Sequence, residues 1–158
     1  MQEPQERAFE GRSGFQEAVL SVLALARREI WLLDPDFSSW PIHDATGARA
    51  LQSALARGAR LKLLVGNPDF LHRQADRFLR LQRLHSARIQ VRVFPESLLL
   101  EESVLLADDQ HLVRKPHRDS RMGRLVIAMP SATDGQRKRL GAIWDESGDA
   151  LPATTLGL

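Results

Sequence analysis

The sequence predicts a single α/β domain in which helices cover a mixed β-sheet. In the first ninety residues, short apolar stretches alternate with longer stretches of helical periodicity, the order that gives parallel strands joined by helices. Three strand-like stretches then follow one another with only turns between them, which favours antiparallel strands added to the same sheet. The 158 residues and a hydrophobic content of 43% are sufficient for one buried core.

Helices are predicted where apolar residues recur every three or four positions. Ser13, followed three residues later by Gln, forms a capping box and is expected to begin the first helix. A second helix is predicted over 48–57 and ends before Gly58. The Asn-Pro-Asp triplet at 67–69 is a strong start signal for a third helix, which runs to about His85.

A last helix is predicted after Thr133, which is placed to cap it. Its buried side is expected to carry Leu140, Ile143 and Trp144. The first helix is expected to bury a corresponding set, namely Phe15, Val19, Val22, Leu23 and Ala26. Trp31 and Trp144 are interpreted as core residues. Trp40, in the loop "FSSWPIH", is the best candidate for an exposed aromatic side chain, with plugging the end of the core as the alternative.

The strands are predicted from short apolar or alternating stretches. These are 30–33, "RLKLLVG", "RIQVRVF", a hairpin formed by "SVLLA" and "HLV", and "RLVIAM". One continuous sheet is expected to bury Leu63, Val65, Ile89, Val91, Val93, Leu105 and Val126. The domain is placed at 13–147, between a loose leader over 1–12 and an irregular tail over 148–158.

Composition excludes several functional classes. Without cysteine there can be no disulfide, thiolate zinc site or cysteine nucleophile, and the absence fits a cytoplasmic location. No apolar run approaches the roughly 20 residues of a membrane span, and the polar start does not look like a signal peptide.

Positive charge is concentrated in two windows, although the net charge is only +2. Residues 71–92 carry six arginines against one aspartate, and residues 111–124 carry five basic residues against one aspartate. We expect an anion-binding surface from Arg73, Arg77, Arg80, Arg114, Lys115 and Arg118. No aromatic residue is positioned for base stacking, so nucleic acid would be bound through its backbone. The alternative is a solvated helix face, with Asp76 and Arg80 paired one turn apart.

Asp34, Asp36 and His43 follow the first predicted strand, where α/β sheets often bind ligands. Two carboxylates and an imidazole are a possible metal site. An Asp-Pro-Asp turn, in which Asp34 accepts backbone hydrogen bonds, is the favoured interpretation. No metal or cofactor is therefore expected.

The order of these elements, together with "ALARGARLKLLV" and the terminal "AIWDES", resembles a single repeat of the phospholipase D-like superfamily. The resemblance implies a motif HxKxxxxD, whose histidine attacks phosphorus and whose lysine neutralises phosphate oxygens. With Asp109 as the acid, the histidine and lysine positions are Glu102 and Val104. With Asp108, they are Glu101 and Ser103. The Gly-Ser-x-Asn expected afterwards is replaced by "RKPH".

The resemblance therefore implies a degenerate domain that is not expected to be an enzyme and that binds a phosphate-bearing ligand, a nucleic-acid backbone or a protein partner. It also implies a homodimer, because active members bring two repeats together. One alternative is an enzyme of altered chemistry that uses His111 or His117, with Asp109 as a further candidate. A serine triad of Ser120 with its neighbours is not supported, because adjacency in sequence is not triad geometry. A further alternative is a purely structural interaction domain.

Overall fold

The computed structural model describes residues 2–149, and in this range eight strands form one sheet. The strands are β1 (Gln5–Glu10), β2 (Glu29–Asp34), β3 (Arg60–Val65), β4 (Ile89–Val93), β5 (Ser103–Ala107), β6 (His111–Lys115), β7 (Met122–Ile127) and β8 (Gly148–Asp149). The helices are α1 (Gly11–Leu23), α2 (Ala45–Ala56), α3 (Asp69–Gln74), α4 (Asp76–Leu84) and α5 (Gln136–Asp145).

The sheet is mixed, as the sequence predicts. Its strand order is β1-β7-β6-β5-β2-β3-β4-β8. The strands β2, β3 and β4 are parallel, because the connections between them contain helices. The remaining neighbours pair antiparallel, including the predicted β5–β6 hairpin. The carboxyl ends of β2, β3 and β6 and the amino end of β5 consequently lie along one edge of the sheet.

Helices cover both faces of the sheet. On one face, α1, α2 and α4 bury Phe15, Leu51 and Phe78 against the strands. On the other, α5 packs Leu140, Ile143 and Trp144 against apolar side chains that include Trp31. Trp31 and Trp144 meet edge to face with their ring centroids 5.8 Å apart, so the prediction that both belong to the core is confirmed.

The amino-terminal segment corrects the prediction of a loose leader. Residues 5–10 form β1, which pairs antiparallel with β7 from Gln5–Ile127 to Glu10–Met122. Its side chains are exposed except for Phe9, so the hydrophobic pattern of a half-buried strand is absent. Helix α1 then begins at Gly11, and Ser13 lies inside the helix instead of capping it.

The helix boundaries differ from the predictions in three more places. Helix α2 begins earlier than predicted, because the Asp44 side chain accepts a hydrogen bond from the Gly47 N–H and caps it. The predicted third helix is two helices, broken where Ala75 leaves the helical region at φ −113° and ψ 50°. Thr133 does not cap α5, since its hydroxyl donates to the carbonyl oxygens of Asp109 and Pro130.

The predicted core residues share one sheet but not one face. Val126 packs on the α5 side, whereas Leu63, Val65, Ile89 and Leu105 pack on the α1 side. Val91 and Val93 are only partly buried, because β4 has just the two-residue β8 beyond it. The irregular tail begins as this short strand, and its remaining residues, 150–158, lie outside the described range.

The interpretation of Trp40 as exposed is wrong, and the alternative of a plug is correct. Its side chain is fully buried and packs against Phe15 and Phe37, with ring centroids 5.1 and 4.9 Å away. Residues 2–149 contain no helix that is long and apolar enough to cross a membrane.

Candidate functional site

A buried polar cluster occupies the sheet edge where β2 and β6 end and β5 begins. Asp34, the last residue of β2, accepts hydrogen bonds from the N–H groups of Asp36 and Phe37 at 3.0 and 2.7 Å. The Ser103 hydroxyl donates to the other oxygen of Asp34 at 2.5 Å. This confirms the interpretation of Asp34 as a turn residue, and both of its carboxylate oxygens accept hydrogen bonds within the domain.

A second pair closes the cluster from the outside. Arg118 donates to an oxygen of Asp36 at 3.1 Å, which ties the loop after β6 to the loop after β2. Burial raises the pKa of Asp36, but hydrogen bonds from Ser38 and the positive charge of Arg118 outweigh it, so the pKa lies below its usual value. Asp36 is consequently an ion-pair partner and is poorly suited to act as a general acid near neutral pH.

Lys115 lies beneath this ion pair and is buried. Its Nζ donates to the carbonyl oxygen of Arg118 at 2.6 Å and lies 4.5 Å from the ring centroid of Phe15. Burial lowers the pKa of Lys115, and the nearby charges of Asp34 and Asp119 partly oppose that effect. The ammonium group thus holds the loop in place from inside the domain.

The structure separates the two registers of the motif. Glu102 and Val104 belong to the α5 face, where Val104 packs in the core and Glu102 pairs with Arg114 and Arg139. Ser103 belongs to the opposite face and contacts Asp34, and Glu101 lies beside it at the sheet edge. Neither register supplies the histidine or the lysine that phosphodiester chemistry would need.

The two aspartates of the hairpin turn have different environments. Both have positive φ, 54° and 57°, a conformation that aspartate tolerates better than most residues. The buried Asp108 carboxylate accepts hydrogen bonds from the N–H groups of Arg27, Arg28 and Glu29. Asp109 is exposed and lies 3.8 Å from Arg137. The structural acid of the turn is therefore Asp108.

The two histidine candidates lie at opposite ends of the hairpin. His111 is buried next to Asp108, at the far edge of the sheet, and its Nδ1 accepts a hydrogen bond from the Ala128 N–H. Burial lowers the pKa of His111, and the charge of Asp108 partly opposes that effect. His117 is half exposed, 3.9 Å from carboxylates of both Glu101 and Asp119. The two imidazoles therefore cannot act on one bond.

The basic residues of the second window have partners inside the domain. Arg114 pairs with Glu102 and Arg118 with Asp36, both at 3.1 Å. The remaining pairs are Arg121 with Glu10 and Arg124 with Glu6. These carboxylates neutralise most of the charge that the window shows in the sequence.

The first window divides between the interior and the surface. Arg88 donates to the backbone oxygens of Leu55 and Ala59, and Arg92 donates to that of Trp144, so both stabilise the fold. Arg73, Arg77, Arg80 and Arg83 are exposed on α3 and α4. The predicted Asp76–Arg80 pair does not form among residues 2–149. Sequence reasoning missed Arg49 of α2, which lines a groove with Arg77 and Arg80.

A cleft of about 530 Å³ lies beyond the carboxyl ends of the parallel strands. Its apolar wall contains Phe94, Leu99 and Leu100, and its charged groups are Asp36, Glu96, Glu101 and Arg118. Because acids outnumber bases, this cleft does not favour a phosphate ligand. No group of three or more potential metal ligands occurs among the described residues, and His43 instead packs edge to face on Phe70.

The fold is that of the phospholipase D-like proteins. Nuc from Salmonella typhimurium, a phospholipase D family member, superposes with a TM-score of 0.69 at 15% identity, covering 93% of this chain and 98% of Nuc. NucT from Helicobacter pylori superposes with a TM-score of 0.66 at 10% identity, covering 93% of this chain and 99% of NucT. TrmBL2, an archaeal chromatin protein with a novel mode of DNA binding, superposes with a TM-score of 0.69 at 13% identity, covering 92% of this chain and 54% of TrmBL2.

At the level of sequence, the model of the domain of unknown function DUF7931 matches residues 11–153. The chain therefore belongs to the DUF7931 family. No curated protein matches it by sequence.

Proposed function

We propose that this chain is a non-catalytic phospholipase D-like domain that binds a phosphate-bearing ligand. The observation that supports the proposal most directly is which residues occupy the position where the superfamily motif would act. Serine and glutamate stand there, and the Ser103 hydroxyl is bound to Asp34. Ser103 is only 1% exposed, so its hydroxyl has no access to a substrate.

The surrounding groups support the same conclusion. Lys115 is buried under Arg118, and Arg118 is paired with Asp36, so both cations already have partners within the domain. His117 lies in the loop after β6, and its Nδ1 accepts a hydrogen bond from the Asp119 N–H. An enzyme of altered chemistry at this cluster would have to work with this exposed imidazole.

The structural relatives support a phosphate-bearing ligand as the kind of ligand. Nuc is described as a phospholipase D family member and TrmBL2 as a DNA-binding chromatin protein. Both superpose over more than nine-tenths of this chain. At identities of 15% and 13%, this likeness shows a shared fold and nothing further. Phosphate recognition without hydrolysis is the function that fits both this fold and the hydrogen bond between Ser103 and Asp34 at the motif position.

The test is a hydrolysis assay with a labelled oligonucleotide and a phosphatidylcholine vesicle as substrates. We expect no turnover above buffer for the wild type, and no difference between the wild type and His117→Ala. Turnover that His117→Ala abolishes would instead establish the altered enzyme. Turnover that survives in His117→Ala and is lost in His111→Ala would place the chemistry at the opposite edge of the sheet.

A second candidate function, docking of a protein partner, is favoured by one feature of the cleft. Leu99 is 81% exposed and has a positive φ of 51°, which is uncommon for leucine. It lies beside carboxylates of Glu96 and Glu101, so a segment with apolar and basic residues would complement it. Replacing Leu99 with Asp should weaken such binding, while Leu84→Asp, on another exposed leucine, should leave it unchanged. The homodimer implied by the family resemblance remains a prediction, which light scattering would check.

A further inference from the structure

Helices α2 and α4 lie side by side and form a groove of about 350 Å³ between them. Its polar lining is Arg49 and Gln52 from α2 and Arg77 and Arg80 from α4. The rest of the lining is Ala45, Ala48, Leu81 and Leu84. Small alanine side chains on α2 leave the space, and the arginines are positioned around it.

The three guanidinium groups of this groove have no carboxylate oxygen within 4.0 Å among residues 2–149. Within the described range, the lining contains no acidic residue. This distinguishes the groove from the second basic window, 111–124, where Arg114, Arg118, Arg121 and Arg124 each have a carboxylate partner. Three like charges that line one groove without a carboxylate partner repel one another, and a bound anion would relieve that repulsion.

We propose that the groove lined by Arg49, Arg77 and Arg80 is a binding site for the phosphate backbone of duplex nucleic acid. The proposal rests on the proposed function, because it names the site and the ligand of the non-catalytic domain. Guanidinium forks match pairs of phosphate oxygens and can donate two hydrogen bonds to each group. The site is separate from the motif position, which lies at the edge of the sheet beyond β2 and β5.

The groove favours a duplex backbone over the two nearest alternatives. No aromatic side chain from the described part of the chain lines it, so these residues offer no platform for stacking the bases of a single strand. Phe78 and Leu81 of α4 are buried in the core, and the exposed Leu84 alone is too little apolar surface to enter a lipid bilayer. Binding should accordingly be independent of sequence and should weaken steeply as salt rises.

The experiment measures the affinity of the full chain for a fluorescent duplex of about 20 base pairs over a range of salt concentrations. The test variant is Arg49→Gln combined with Arg77→Gln. The control variant is Arg121→Gln combined with Arg124→Gln, which removes the same charge from arginines that have carboxylate partners. We expect the test variant to bind at least about tenfold more weakly and its salt slope to fall by about 2, one unit for each lost phosphate contact.

The control variant should change the affinity less than threefold, since its arginines already have partners. A second duplex of scrambled sequence should bind equally well. Equal losses in both variants, no binding by the wild type, or binding to anionic vesicles but not to the duplex would each overturn the groove as a nucleic-acid site. If the wild type hydrolyses the duplex and the Arg49→Gln, Arg77→Gln variant binds it more weakly as expected, the proposed absence of catalysis would be overturned. The groove would still be supported as the binding site.

Discussion

Ser103 on β5 donates a hydrogen bond to Asp34 on the neighbouring strand β2, and both side chains are almost fully buried. The pair joins the antiparallel part of the sheet to its parallel part, at the edge where the motif of phospholipase D-like proteins would act. Asp34 uses its other oxygen to hold the turn at Asp36 and Phe37. Asp34 therefore occupies the Ser103 hydroxyl with one oxygen and, with the other, shapes the loop whose Asp36 pairs with Arg118.

We expect Ser103→Ala to lower the free energy of unfolding by about 1–3 kcal/mol, because it leaves one oxygen of the buried Asp34 without its donor. Urea denaturation of the purified domain would measure this change. Ser53→Ala is the matched control, since Ser53 is exposed on α2 and should change stability by less than about 0.5 kcal/mol. Equal effects at the two serines would show that the contact with Asp34 contributes little.

Asp108→Asn should be destabilising by about 1.5–3 kcal/mol, whereas Asp109→Asn should change stability by less than about 0.5 kcal/mol. Both residues have positive φ, and asparagine tolerates that conformation, so the backbone cost is similar at the two positions. The difference lies in the side chains. The Asp108 carboxylate accepts from three N–H groups, one of which would face the new amide NH₂ group. Thermal or urea unfolding of the two variants side by side would test it.

Two glycines inside helices should respond to alanine with opposite signs. A Cβ on Gly47 of α2 would lie 1.6 Å from the carbonyl oxygen of Pro41, so Gly47→Ala should cost more than about 2 kcal/mol. A Cβ on Gly141 of α5 would have nothing within 4 Å. Gly141→Ala should therefore raise the free energy of unfolding by about 0.5–1 kcal/mol, the difference in helix propensity. A stable Gly47→Ala variant would mean that the turn before α2 can move away.

The strands that the sequence predicts correctly are those with a strong hydrophobic pattern. The buried strands β2, β3 and β5 are nearly continuous apolar runs, and the β5–β6 hairpin is marked by two aspartates in its turn. Strand β1 was missed because five of its six residues are exposed and only Phe9 is buried. An edge strand of this kind is specified by pairing with β7, a partner more than a hundred residues away, and local sequence contains no sign of it.

The candidate site was harder to predict for the same reason. Asp34 and Asp36 stand out in the sequence, but Arg118, which pairs with Asp36, lies 82 residues further along the chain. The charge of the second window looks free until its carboxylate partners at Glu6, Glu10 and Glu102 are brought beside it by the sheet. Arg49 has no basic neighbour in sequence within α2, and only the packing of α2 on α4 places it with Arg77 and Arg80.

The last prediction concerns pH. Burial lowers the pKa of His111 below its ordinary value of 6.5, so between the two values the unfolded chain binds a proton that the folded chain does not. The stability that comes from the neutral imidazole is fully present above pH 6.5 and is lost as pH falls toward the folded pKa.

His111→Asn keeps an acceptor for the Ala128 N–H and cannot titrate. Its free energy of unfolding should therefore fall less than that of the wild type between about pH 7 and 5. Urea titrations at several pH values would show it, and a wild-type slope in His111→Asn would rule out His111 as the source.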